Sequence, residues 1–194
     1  GATCAYTLAV SGLFSDLVLV DMNRDKAVGE AADINHGVAF SKPCRVTAGE
    51  YADLAECGLI IIAAGANQKP GESRLELLGR NKGILSSIIA QITAVNTEAI
   101  LLVVSNPVDV LTCLAQQLSG FPAGRVLGSG TVLDTARLKY LLGQRLGVDS
   151  RNVHAFIIGE HGDSELAVWS SANISGADLD DYCRLAGITN PSGE

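Results

Sequence analysis

A single histidine stands between two glycines in the segment Gly159-Glu160-His161-Gly162, directly after the apolar run 155–158. An imidazole changes its protonation state near neutral pH, so His161 could give or take a proton during a reaction. The two glycines leave room for the backbone to approach a ligand closely. A lone histidine is more often an ordinary surface or core residue, so its assignment to catalysis depends on the residues that accompany it.

An aspartate and an arginine offer partners for this histidine. Asp134 and Arg137 fall within the predicted helix 133–146 and, being three residues apart, share one of its faces. A carboxylate can orient an imidazole and stabilise its charged form, and a guanidinium can bind a substrate carboxylate through two hydrogen bonds. Arg74 follows the Pro- and Gly-containing loop 67–73, which has the composition of a lid. The alternatives are a surface ion pair for Asp134 and Arg137, and a solvated helix start for Arg74.

Apolar strands alternate with amphipathic helices along the chain, and these elements must position the candidate residues. Strands are predicted at 17–20, 46–48, 59–64, 100–104, 126–127 and 153–158, and helices at 1–11, 24–35, 72–95, 108–119 and 133–146. The helix 72–95 contains Gly79 and Gly83, each costing about 1 kcal/mol relative to alanine, so a break is expected near them. Residues 165–172 could form either a helix or a strand, and the chain from Asp178 onward is polar. The alternation predicts an α/β fold with a parallel sheet covered on both faces.

The composition limits the classes of function that the chain can have. Its 194 residues carry 14 Lys and Arg against 21 Asp and Glu, a net charge of −7, without a basic block. This balance argues against nucleic-acid binding, and the longest apolar runs, 59–64 and 99–104, are too short to span a bilayer. The 5 cysteines are scattered without metal-site spacing. We therefore predict reduced, packed thiols in a cytoplasmic protein, with no metal site.

Asp21 is the first indication of a dinucleotide site. It follows the strand 17–20 and lies 20 residues after Gly1. An acid at about this distance from a Gly-rich turn accepts hydrogen bonds from the adenosine ribose in dinucleotide-binding folds. Gly1 would then be the last glycine of such a turn, which opens a helix toward the pyrophosphate. The alternative interpretation of Asp21 is an ordinary turn residue at a strand end.

Two further strand ends have residues that suit a cofactor. Gly65 and Ala66 follow one predicted strand, and Ser105 and Asn106 follow the next. Ligands of parallel sheets bind outside the carboxyl ends of the strands, where small side chains leave them room. For Gly65, an ordinary turn residue is again the alternative interpretation.

Four motifs together resemble the bacterial L-lactate dehydrogenases of the lactate and malate dehydrogenase superfamily. They are the segments 67–74 (NQKPGESR), 105–109 (SNPVD), 134–137 (DTAR) and 159–164 (GEHGDS). The resemblance runs over the whole chain, in order and without large gaps. It implies a Rossmann-type doubly wound parallel sheet in an NAD-binding domain, residues 1–127, followed by the start of an α+β substrate domain, residues 128–194.

The resemblance implies hydride transfer with NAD as cofactor, in which pyruvate, NADH and a proton are interconverted with (S)-lactate and NAD⁺. His161 would donate the proton to the substrate carbonyl and accept it in the reverse direction, and Asp134 would orient its ring. Arg137 would bind the substrate carboxylate, and Arg74 would polarise the carbonyl. Asn106 would hydrogen-bond near the same oxygen and the nicotinamide.

Gln68 bears on the choice of substrate. In this superfamily the matching position is typically Gln for pyruvate and Arg for oxaloacetate, and a second substrate carboxylate does call for a cation where a methyl group does not. A malate or other L-2-hydroxy-acid dehydrogenase is the alternative within the enzyme class. A non-catalytic truncated remnant is the alternative outside it. The joint presence of His161, Asp134, Arg137 and Arg74 favours the enzyme.

The resemblance also implies assembly and regulation. Many bacterial lactate dehydrogenases are activated by fructose 1,6-bisphosphate bound between subunits; His154 matches a histidine of that site, and Lys139 stands where an arginine is usual. A homotetramer is expected. The first strand of the dinucleotide fold is expected before Gly1, and the family continues beyond Glu194. We therefore expect these 194 residues alone neither to fold stably nor to catalyse.

Overall fold

A computed structural model of the chain describes residues 1–66, 71 and 74–193, without the side chains of residues 74, 75, 77 and 193. Gln68, most of the predicted lid loop and the side chain of Arg74 therefore lie outside the described residues. The chain divides into two compact units, residues 1–106 with 110–127 and residues 107–109 with 128–194. None of the helices in this described part is long and apolar enough to cross a bilayer.

The first unit alternates strands and helices. Its strands are β1 (Asp16–Leu19), β2 (Arg45–Ala48), β3 (Leu59–Ile62), β4 (Ile100–Val103) and β5 (Val126–Gly128), and its helices are α1 (Ala2–Ser11), α2 (Arg24–Val38) and α3 (Arg74–Thr93). Helix α4 (Val108–Ser119) belongs to this unit from residue 110 onward, and its first two residues belong to the second unit. Strand β1 pairs in parallel with β2, and β3 pairs in parallel with β4. These strands form two sheets, in the orders β1-β2 and β3-β4-β5. The predicted α/β fold with a Rossmann-type parallel sheet is confirmed.

Helix α3 packs its apolar stripe onto the core of the sheet that contains β3 and β4. Ile89 and Ile92 are each 1% exposed, and Leu101 and Val103 of β4 are fully buried. The helix is continuous from residue 74 to residue 93, so the predicted break near its two glycines is wrong. Burying one such isoleucine contributes about 1.5–3 kcal/mol. This outweighs the cost of about 1 kcal/mol for each glycine.

All five cysteines are unpaired, as predicted, but they are not all packed. Cys44 lies in a second core of the first unit, with Ala9, Ile34 and other small apolar residues, and Cys183 lies in the core of the second unit. Burial raises the pKa of both thiols, so they stay protonated and pack as small apolar side chains. Cys113 is exposed, so for this residue the prediction of a packed thiol is wrong.

The second unit combines helices with short antiparallel strands. Its elements are α5 (Val132–Leu146), β6 (Val153–His154), β7 (Ile157–Ile158), β8 (Leu166–Ala167), β9 (Asn173–Ile174), β10 (Ala177–Asp178) and α6 (Leu179–Ala186). Strand β9 pairs antiparallel with both β6 and β10, and β7 pairs antiparallel with β8. Leu142 and Leu146 of α5 share one core with Val153 and Leu179. This is the α+β arrangement that the resemblance implied.

The prediction of a single strand over residues 153–158 is wrong. Strands β6 and β7 belong to different sheets. Val153 and Ala155 are each 1% exposed, whereas Phe156 and Ile158 are 53% and 50% exposed. The apolar run is therefore buried on one face only, which is typical of antiparallel pairing rather than of a doubly covered parallel strand.

The polar tail contains a helix that the sequence pattern did not predict. The side chain of Asp178 caps α6 by accepting a hydrogen bond from the Asp180 N–H, and Gly187 ends the helix with a left-handed φ of 68°. Leu179 and Cys183 are the residues that α6 buries. Eight residues with so narrow an apolar face give little periodicity, although the cap residues at both ends are the usual signals of helix termini.

Candidate active site

The side chains of His161 and Asp134 are bonded to each other in the second unit. Nδ1 of the imidazole lies 2.5 Å from Oδ2 of the carboxylate, within hydrogen-bonding distance. Asp134 lies in the first turn of α5, and its side chain is 7% exposed while that of His161 is 25% exposed. Because Nδ1 is occupied, Nε2 is the ring nitrogen that a substrate can use. The pair therefore has the chemistry of a proton donor held by a buried acid.

Two threonines, Thr131 at the N-cap of α5 and Thr135 within it, set the position of this helix relative to strand β7. Thr131 Oγ1 donates to the Ile157 carbonyl oxygen at 2.6 Å, and Thr135 Oγ1 accepts from the Ile157 N–H at 2.9 Å. These bonds fix the register between the helix that carries Asp134 and the strand that leads to His161. Neither threonine is among the site residues predicted from the sequence, although Thr135 lies inside the DTAR motif.

The two glycines beside His161 differ in what they do. Gly159 has a φ of 95°, a conformation that residues with a side chain rarely adopt. A Cβ atom there would also lie 3.4 Å from the Ser164 carbonyl oxygen, whereas one at Gly162 would meet only the Glu160 side chain at 4.0 Å. Gly159 is thus required by the backbone turn that ends β7, and Gly162 leaves space next to His161.

Arg137 shares the Asp134 carboxylate with His161. Its Nη1 lies 3.1 Å from Asp134 Oδ1, and its side chain is 62% exposed. Each carboxylate oxygen thus has one of these partners. The burial of Asp134 distinguishes this arrangement from an ordinary surface ion pair. A guanidinium has five N–H donors, so the other donors of Arg137 can bind a substrate carboxylate.

Glu165 lies close to the same pair. One of its ligand atoms lies within 4.8 Å of those of Asp134 and His161, and these three residues form the one such potential cation-binding group among the described residues. Glu165 is exposed, and the other two side chains are already bonded to each other. The absence of a metal site stays a prediction.

The first unit brings the predicted cofactor residues of β3 and β4 together. Ser105 Oγ donates to the Ala64 carbonyl oxygen at 2.7 Å, which joins the two strand ends. Gly65 lies next to them, because a Cβ atom there would lie 3.7 Å from Ser105 Cβ and 3.6 Å from Asn81 Oδ1. The exposed Gly65 leaves an open surface at the carboxyl ends of two parallel strands, where ligands of such sheets bind.

Asn81 of α3 connects the two loops that follow these strands. Its side chain accepts from the Ala66 N–H at 2.8 Å and donates to the Asn106 carbonyl oxygen at 3.0 Å. Asn81 is only 3% exposed, so these two bonds satisfy a polar group that would otherwise be costly to bury. Asn81 is not among the residues predicted from the sequence. The available signal was its place in the buried stripe of α3, between Leu78 and Leu85.

The remaining predicted positions have clear places in the fold. Gly1 is the N-cap of α1, and the exposed Asp21 follows β1, where its Oδ1 accepts from the Asn23 N–H at 2.9 Å. Lys139 lies on α5 and the exposed His154 on β6, two elements that pack against each other. The roles proposed for these residues, as for the rest of the site, stay predictions.

Comparison with known proteins decides the family. Residues 1–128 match the family model described as lactate/malate dehydrogenase, NAD binding domain. Residues 131–189 match the model described as lactate/malate dehydrogenase, alpha/beta C-terminal domain. The chain belongs to the lactate/malate dehydrogenase family. The resemblance read from the four motifs is thereby confirmed.

Within the lactate/malate dehydrogenase family, the chain is similar to curated L-lactate dehydrogenases. The chain is 56% identical over 187 residues to the L-lactate dehydrogenase of Thermoanaerobacter sp. (strain X514), covering 96% of this chain and 60% of the relative. It is 55% identical over 183 residues to that of Acetivibrio thermocellus, covering 94% and 58%. The chain thus spans 58–60% of the length of these curated relatives.

Solved structures agree with this assignment to the lactate/malate dehydrogenase family. One is a lactate dehydrogenase enzyme from a Medee basin deep-sea metagenome library, with a TM-score of 0.91 and 47% sequence identity. Another is the minor L-lactate dehydrogenase from Enterococcus mundtii in the ligands-bound form, with a TM-score of 0.91 and 43% identity. In both cases the match covers 94% of this chain and 59% of the other.

Proposed function

We propose that the full-length protein is an L-lactate dehydrogenase that interconverts pyruvate and (S)-lactate. The observation that carries this proposal is the hydrogen bond between His161 Nδ1 and the buried carboxylate of Asp134. It leaves Nε2 available as a proton donor, and the guanidinium of Arg137, bonded to the same carboxylate, supports binding of an acid substrate beside it. The curated relatives, which are named L-lactate dehydrogenases, support pyruvate as the substrate.

Five side chains have distinct roles in the proposed reaction. Arg137 binds the substrate carboxylate, and His161 Nε2 donates a proton to the carbonyl oxygen as negative charge develops there. Asp134 stabilises the charged imidazole before the transfer and holds the ring afterwards. Arg74 polarises the carbonyl, and Gln68 contacts the methyl group of pyruvate. In the reverse direction His161 takes the proton from the hydroxyl group of lactate.

We propose NAD as the cofactor, bound by residues 1–127, with residues 128–194 beginning the substrate domain. The residues proposed to hold it are Gly1, Asp21, Gly65, Ala66, Ser105 and Asn106. They fit a dinucleotide, because small residues at the ends of β3 and β4 leave an open surface and a carboxylate follows β1. An acid at Asp21 suits the ribose hydroxyls of NAD and disfavours the additional phosphate of NADP. When bound, the cofactor supplies or accepts the hydride.

Replacing Gln68 with arginine tests the substrate assignment. In the full-length protein, we expect the ratio of kcat/KM for oxaloacetate to that for pyruvate to rise by about 10- to 150-fold, because a charged hydrogen bond contributes about 1.5–3 kcal/mol. The measurement is steady-state NADH oxidation with each 2-oxo acid. A Gln68→Asn variant is the matched control, because it introduces no cation.

An unchanged ratio in the Gln68→Arg variant would contradict this assignment of Gln68. Oxaloacetate preferred by the unmodified protein would favour the alternative, a malate-type enzyme. A full-length protein that folds but reduces none of these acids would favour the other alternative, a non-catalytic remnant.

We further propose a cytoplasmic homotetramer that fructose 1,6-bisphosphate activates. Lys139 and His154 support this, because an ammonium group and an imidazole on adjacent elements, α5 and β6, can both donate hydrogen bonds to a phosphate group. We expect the bisphosphate to lower the KM for pyruvate and to favour the tetramer. The combined Lys139→Ala and His154→Ala variant should lose this response, with His36→Ala as the control. An unmodified protein whose KM and oligomer distribution do not respond would contradict the proposal.

A further inference from the structure

An aspartate from another part of the chain holds the main chain of His161. Oδ2 of Asp109 accepts a hydrogen bond from the His161 N–H at 2.8 Å. Asp109 is the second residue of α4, and the two bonded residues are 52 positions apart in the sequence. Both belong to the second unit, which includes residues 107–109. The bond is partly buried, so water competes with it less than at a fully exposed site.

The Asp109 carboxylate does more than stabilise the start of its own helix. An aspartate in the first turn commonly stabilises its own helix through the macrodipole. In Asp109, one carboxylate oxygen is instead bonded to a distant amide in the loop that carries the proposed proton donor. Asp109 lies within the SNPVD motif, but the resemblance that this motif carries implies no role for Asp109.

The loop around His161 contains little else to fix this residue. Within it, Ser164 Oγ donates to the Glu160 carboxylate, and the Glu165 N–H donates to the Gly162 carbonyl oxygen. Neither of these two bonds involves His161. A flanking glycine increases the number of conformations open to the backbone. Of the described bonds, those to Asp109 and Asp134 are the ones that hold His161, one at its main chain and one at its ring.

We infer that Asp109 is a positioning residue, which fixes the main chain of His161 so that the bond to Asp134 directs Nε2 to the substrate carbonyl. The inference rests on the proposed function. With the main chain released, the ring could keep its bond to Asp134 while the Cα atom and Nε2 move. Proton transfer depends steeply on such movements, because a displacement of about 1 Å can cost about 100-fold in rate.

The test compares three variants of the full-length protein in pyruvate reduction. We expect Asp109→Ala to lower kcat by about 10- to 100-fold, with little change in the KM for pyruvate or the dissociation constant for NADH. Asp109→Asn should recover most of kcat, because its amide oxygen can accept the same hydrogen bond. Asp163→Ala is the matched control: it removes an exposed carboxylate from the same loop and should leave both constants unchanged.

Three results would overturn the inference: an Asp109→Ala variant with the wild-type kcat, an Asp109→Asn variant as impaired as Asp109→Ala, or a raised KM with unchanged kcat. Should Asp109→Ala fail to fold, hydrogen exchange in the unmodified protein tests whether Asp109 holds the His161 amide. We expect the His161 amide to exchange at least about tenfold more slowly than that of Gly162, and equal rates would overturn the inference. Because exchange does not depend on turnover, an inactive protein with a protected His161 amide would contradict the proposed function and leave the Asp109 bond supported.

Discussion

Replacing His161 with asparagine should lower kcat for pyruvate reduction in the full-length protein by about 10²- to 10⁴-fold, the usual contribution of a positioned general acid. Asparagine cannot supply the proton, so a water molecule must do so. The KM for pyruvate should change little, because Arg137 still binds the carboxylate. His36→Asn is the matched control: His36 is exposed on α2, and its replacement should leave kcat unchanged.

A second substitution tests whether His161 acts together with Asp134. Asp134→Asn removes the charge that holds the ring, and we expect a loss of kcat comparable in order of magnitude. The double variant should be about as impaired as His161→Asn alone, because residues that act as a unit are not additive. Losses that multiply in the double variant, or a His161→Asn variant that keeps near-normal kcat, would contradict the proposed acid–base pair.

Replacing Arg137 with lysine should raise the KM for pyruvate and lower kcat/KM by about 10- to 150-fold, because charged hydrogen bonds contribute about 1.5–3 kcal/mol. Lysine keeps the positive charge but loses the planar pair of donors that matches a carboxylate. The KM for NADH should stay unchanged. Steady-state kinetics with each substrate varied in turn separates the two constants.

An arginine outside the candidate site provides the control for this prediction. Arg151 is exposed and bonded to Asp149, and its hydrogen bonds lower the pKa of that carboxyl to about 2. Arg151→Lys changes the same chemical group in the same unit, and we expect unaltered pyruvate kinetics. A KM for pyruvate that is unchanged in Arg137→Lys, or that rises equally in both variants, would contradict the proposed carboxylate ligand.

The proton-transfer residues could be predicted from the sequence because their side chains are of types that commonly take part in catalysis. A histidine between glycines and an Asp and Arg three residues apart on a helix can be selected from residue type and spacing. The structure brings His161, Asp134 and Arg137 together. Thr131, Thr135 and Asp109 were missed, because they bind main-chain groups. Which main-chain group lies near a side chain depends on the tertiary fold, and spacing along the chain does not give it.

In the fold, the elements that the sequence predicts well are those with a long apolar periodicity. The long helices and the parallel strands β1 to β4 follow from apolar periodicity. The two glycines of α3 predicted a break, but the burial of Ile89 and Ile92 stabilises the continuous helix by more than the glycines cost. The split between β6 and β7, and the helix α6, depend on pairing partners and caps in stretches of two to eight residues. Periodicity over so few residues distinguishes poorly between helix, strand and turn.

The most direct test of the central claim follows the hydride into the product. The full-length protein is supplied with pyruvate and with NADH that carries deuterium at both C4 positions, in ordinary water. We predict that the product is (S)-lactate with one deuterium on C2, because the hydride goes to carbon and His161 gives a solvent-derived proton to oxygen. Lactate without deuterium at C2, or no oxidation of NADH in the presence of pyruvate, would contradict the proposed function.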